Sequence, residues 1–76
     1  MELINKYSYI WLSKNLYNKK VNFISDCEFF PNFNVTGYVN NIQISKHNNE
    51  ILFTVNVNNK TLTIGSNMKN LQFQIV

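Results

Sequence analysis

The chain has 76 residues, seven lysines, no arginine, four acidic residues, one histidine and one cysteine, for a net charge of +3. That length supports one domain around one core, and a lone Cys27 excludes an internal disulfide. One His, one Cys and four scattered carboxylates give no metal-ligand spacing, so hydrophobic packing must stabilise the fold and no cofactor is expected.

The first eighteen residues read as an amphipathic helix. Leu3, Ile4, Tyr7, Ile10 and Trp11 fall at helical spacing and are expected to cover one end of a core. Tyr9, Leu12 and Leu16 lie off that stripe, so Tyr9 and Leu12 are candidates for a second, partner-facing surface. Tyr7, Tyr9 and Trp11 also alternate as a strand would, and the helix is the preferred reading.

From Lys19 onward the period is two. Val21, Phe23, Ser25, Cys27 and Phe29 share a phase, which places Cys27 as a small buried hydrophobe, and Pro31 is expected to end the ladder. Val35, Gly37 and Val39 share a phase that Ile42 and Ile44 reverse, so a one-residue slip near Asn40-Asn41 implies a β-bulge. Gly37 marks a bend. Ile51, Phe53, Val55 and Val57 alternate with Leu52, Thr54, Asn56 and Asn58, Leu62 and Ile64 with Thr61 and Thr63, and Leu71, Phe73 and Ile75 with Gln72, Gln74 and Val76. Asn58-Asn59 reads as a tight hairpin, because Asn tolerates positive φ. Gly65–Asn70 reads as a corner, with Gly65 taking an unusual backbone angle and Met68 closing the core.

The expected fold class is therefore mainly β: a single domain, 1–76, with an N-terminal helix over 1–18 and a five-stranded antiparallel barrel over 19–76. The sequence of long loop (Phe30–Asn34), distal hairpin (Asn58-Asn59), 3₁₀ turn (Ser66–Asn70) and last strand resembles the SH3-like small-barrel superfold. The resemblance is architectural, and that architecture hosts many functions. It implies that the long loop helps to form a ligand groove.

Chemistry is sparse. His47 lies in a polar loop with no base or nucleophile at a telling spacing. Asp26 and Glu28 share a strand face, as exposed acids commonly do. No catalytic residue is assigned, and no enzyme activity is expected. "FFPNF" is the most informative stretch, since three phenylalanines in five positions cannot all point inward. Phe30, Phe33 and Tyr38 are taken as carriers of a protein-binding surface, for self-association or for an adaptor role in a larger assembly. The alternative is a nucleic-acid surface built from Lys19, Lys20, Lys46, Lys60 and Lys69 with a stacking aromatic. No stretch is long enough to span a membrane. A lone cysteine and the absence of a leader fit a cytoplasmic protein. Size and compositional bias suit an accessory protein of a phage or mobile element.

Overall fold

The computed structural model describes every residue except Pro31, so the expectation that Pro31 ends a ladder lies outside the described residues. The chain is mainly β, with 49% of its residues in strands. The strands are β1 (Glu2–Leu3), β2 (Lys20–Ser25), β3 (Phe33–Ile44), β4 (Ile51–Val57), β5 (Lys60–Gly65) and β6 (Gln72–Ile75). One short helix, α1 (Tyr9–Leu16), and a 3₁₀ turn at Ile4–Lys6 precede β2. All pairings are antiparallel, in the order β1-β6-β2-β3-β4-β5.

The sheet differs from the expected barrel in two respects. Among the described residues the sheet has six strands, not five, and it is open: β1 and β5 are its edges. The added strand comes from the N-terminal segment. Glu2 and Leu3 lie opposite Phe73 and Gln72, so these residues extend the sheet and do not begin a helix.

The helix is also shorter than 1–18, and it faces the other way. Its start is set by Ser8, whose Oγ accepts the Trp11 amide at 3.1 Å and caps one of the free donors of the first turn. It ends where Tyr17 becomes extended and Asn18 takes φ 61°. The Asn18 amide then donates to the Val39 carbonyl at 2.7 Å, which ties the helix exit to β3. Leu12 and Leu16, one turn apart, are fully buried, while Ile10 is 64% exposed. Leu12 therefore belongs to the core and offers nothing to a partner. Leu12→Ala is expected to cost about 2 kcal/mol, the low end for a buried leucine because a two-turn helix can settle into the gap. Ile10→Ala should change stability by under about 0.5 kcal/mol. Urea denaturation of the two variants checks the orientation of the helix.

The period-two reading holds along the strands except at two ends, where Ile44 and Ile75, expected inward, are 44% and 46% exposed. Val21, Phe23 and Ser25 face inward on β2, then Val39 and Ile42 on β3, Phe53 and Val55 on β4, Ile64 on β5 and Phe73 on β6. With Ile4, Leu12, Leu16 and Leu71 they form one core, against which Met68 packs. Phe23 and Phe53 meet at its centre, their rings 5.4 Å apart and inclined by 47°.

Strand β3 carries the curl of the sheet. Its first half, up to Tyr38, pairs with β2, and its second half, from Tyr38, pairs with β4. The register slips between Val39 and Asn41, at the expected bulge. This shift lets Val39 and Ile42, three residues apart, both point inward.

The expected hairpin between β4 and β5 is present, with Asn58 and Asn59 at φ 51° and 66°. Neither glycine has positive φ, so Gly65 takes no unusual angle. Asn18, Asn32, Asn49, Asn58, Asn59 and Asn70 occupy that region instead. At the Gly65–Asn70 corner, the Met68 amide donates to the Gly65 carbonyl and the Leu71 amide to the Met68 carbonyl. These two successive turns stand where a 3₁₀ turn was expected.

Tyr7 stacks near Trp11, with ring centroids 4.2 Å apart, and meets Phe73 edge-on at 5.4 Å. Partial burial, then the charge of Glu2 and a hydrogen bond to it, hold the Tyr7 phenol above its ordinary value. A raised phenol means that the folded chain holds its proton longer than the unfolded chain does. Its contribution is thus intact below the ordinary phenol value and is lost as pH rises through the raised one. In an absorbance titration, Glu2→Gln should shift one tyrosine step downward, and Tyr7→Phe should remove that step.

Candidate interaction site at the β2–β3 loop

Strand β2 ends at Ser25, where the chain turns away from β3. Ser25 Oγ donates to the Lys69 carbonyl at 2.8 Å, and the Asp26 amide donates to the same oxygen at 3.0 Å. Asn70 Nδ2 closes the clip by donating to Asp26 Oδ2 at 3.0 Å. The Gly65–Asn70 corner thereby fixes where the β2–β3 loop starts. Satisfying the Ser25 hydroxyl also makes its burial tolerable.

This clip overturns two local expectations. The strand stops before Cys27, so Cys27 is a half-buried loop residue and not an inward strand residue. Asp26 and Glu28 leave the strand face too, and Asp26 is held by Asn70 as a structural acceptor.

The released segment then turns twice. The Phe30 amide donates to the Cys27 carbonyl at 3.3 Å and the Phe33 amide to the Phe30 carbonyl at 3.1 Å. Asn32 takes φ 63° to re-enter β3. These turns throw Phe29 and Phe30 outward, leaving them 87% and 62% exposed. Phe30 lies edge-on to Phe33 at 6.5 Å, and Phe33 packs half-buried against the core. Phe33 is thus the anchor that links an exposed ring to the interior. Beside them opens a cavity of about 560 Å³, lined by Ile24, Ser25, Asp26, Cys27, Glu28, Asn32, Phe33 and Asn34. Apolar rings next to a concave, partly acidic wall can hold an apolar side chain and orient a polar or basic neighbour.

The structure separates the other residues expected to share this surface. Tyr38 is exposed, but it lies on the opposite face of β3 from Phe33 and about 17 Å along the strand. Its face is polar. Asn22 Nδ2 donates there to Asn34 Oδ1 at 2.6 Å and to Thr36 Oγ1 at 2.9 Å. Tyr9 is half-buried and donates its hydroxyl to the Ile42 carbonyl at 3.2 Å, a latch between α1 and β3. Phe29 was missed because the alternating phase was carried past Ser25.

The five lysines do not form one cluster: Lys20 lies opposite Tyr38, in a row that Asn56 and Thr61 continue towards Lys60, while Lys46 and Lys69 stand at other levels of β3. Lys46 lies two residues past the end of β3, whereas the Lys69 carbonyl is bonded at the level of its first residue. Lys19 and Lys20 stand at the start of β2, and Lys60 lies just past the distal hairpin. Among the described residues no group of His, Cys, Asp and Glu is placed to hold a metal ion, and no helix is long and apolar enough to cross a membrane. No protein-family model, curated protein or solved structure matches the chain.

Proposed function

We propose that the protein is a small non-enzymatic binding module that engages a protein partner through the β2–β3 loop. The carrying observation is the adjacent pair Phe29 and Phe30, both exposed, on a loop clipped at its root. Each ring covered by a partner contributes about 1.5–3 kcal/mol, and the clip lowers the ordering cost of binding. The resemblance to SH3-like barrels supports the same location. The long β2–β3 loop, the tight β4–β5 hairpin and the short corner before β6 follow one another in that superfold's order.

The test compares proteins retained by the immobilised wild type with those retained by Phe29→Ser/Phe30→Ser and by Tyr38→Ser. A partner bound through the loop should lose about 100-fold or more in affinity to the double variant and little to Tyr38→Ser. Equal retention by all three would reject the reading. Oligonucleotide binding at low salt, where phosphate contacts are strongest, removed by Lys60→Glu plus Lys69→Glu but not by the loop variant, would favour the nucleic-acid alternative.

A further inference from the structure

Among the described residues, strand β5 is paired on one side only. Its hydrogen-bond phase follows from the hairpin. Val57 and Lys60 close the two-residue turn as a bonded pair, and Ile51 repeats that phase by accepting the Ser66 amide at 2.8 Å. Lys60, Leu62 and Ile64 therefore address β4, while Thr61 and Thr63 present their N–H and C=O groups to the open edge. Gly65 faces the same way, but its carbonyl already accepts from Met68.

Natural edge strands are blunted by charge, proline, bulges or brevity. Thr61–Gly65 carries no charge or proline, and its pairing with β4 runs without a slip. The other edge, β1, is two residues long and carries Glu2. Leu62 adds a second sign. It is on the inner face, in phase with fully buried Ile64, yet is 38% exposed because no strand flanks it.

We propose that the β5 edge pairs antiparallel with the β5 edge of a second copy of this chain, making one continuous sheet about a two-fold axis at Leu62. The strand is self-complementary in that register. Thr61 lies opposite Thr63 of the second copy, and Thr63 opposite its Thr61, giving two bonded pairs and four hydrogen bonds. Leu62 meets its own copy in the closer, non-bonded position, and threonine pairs suit such a ladder. The only charge on the strand, Lys60, falls opposite Ile64 of the second copy, so two chains of net charge +3 meet here without a like-charge pair. This surface is distinct from the β2–β3 loop, and the inference does not depend on it.

Sedimentation velocity up to about 1 mM should show a concentration-dependent dimer. Thr63→Pro removes an outward N–H without touching the ladder to β4, and should weaken the dimer about tenfold or more, since two of its four bonds are lost. Leu62→Glu and Leu62→Lys should each be monomeric and should form a heterodimer when mixed. This second pair decides the matter if Thr63→Pro unfolds. A wild type that stays monomeric would overturn the proposal. So would a dimer unaffected by the β5 variants, or one abolished by Phe29→Ser/Phe30→Ser.

Discussion

Phe53→Ala is expected to remove about 4 kcal/mol of stability, the largest loss from any single truncation in this chain. Phe53 has no exposed surface, lies between Ile42 on β3 and Ile64 on β5, and touches Phe23 across the core. Truncation loses the transfer energy of the ring and leaves a cavity that three antiparallel strands cannot close without breaking ladder bonds. A chain of 76 residues has a total stability of roughly 4–11 kcal/mol. The variant should therefore lose between about a third and all of that stability, whereas Phe29→Ala should leave the denaturation midpoint within experimental error. Circular dichroism with urea titration measures both.

Gly37→Ala is the second large effect, expected at about 3 kcal/mol. A Cβ at this position would run into the Asn56 carbonyl oxygen and lie 2.8 Å from both Val55 Cγ1 and Val57 Cγ2. The obstruction is β4 backbone and the stiff side chains of buried and half-buried valines, so nothing nearby can swing aside. The requirement is for space, since Gly37 does not have positive φ. It arises where β3 passes from pairing with β2 to pairing with β4. Gly65→Ala offers a contrast, because its Cβ would meet the Glu50 carboxylate, the movable end of a flexible side chain. Thermal denaturation should show a much smaller shift for Gly65→Ala than for Gly37→Ala.

The strands were legible because a half-buried sheet writes its inward face directly into alternate positions. The hairpin and bulge were legible for the same reason: each is a local departure with its own residue signature, Asn58-Asn59 in one case and the phase reversal before Ile42 in the other. The N-terminal segment was not. Leu3, Ile4, Tyr7, Ile10 and Trp11 look like one helical stripe, but they span a strand, a 3₁₀ turn and a helix. The boundary is Ser8, an N-cap with no capping-box acid behind it, and the true inward pair, Leu12 and Leu16, is too short a run to show periodicity.

The candidate site was legible in part. "FFPNF" announced surplus aromatic surface. Which rings are exposed depends on where β2 stops, and that is set by bonds from Ser25, Asp26 and Asn70 across 44 residues of sequence. Local patterning carries no trace of such a clip. The asparagine content reads differently in the folded chain. Six of fifteen asparagines hold the positive-φ positions that turns demand, a task more often given to glycine.

The inward side chains of one sheet close a single core, and the last strand returns beside the first long one. Cross-strand nuclear Overhauser contacts in the isotope-labelled protein test this most directly. The predicted result is a set of contacts linking Phe23 to Val35 on one side and to Phe73 on the other, with the Phe53 ring near Phe23. Contacts that pair β6 with β5 in place of β2, or a Phe53 ring with no contact to Phe23, would contradict it.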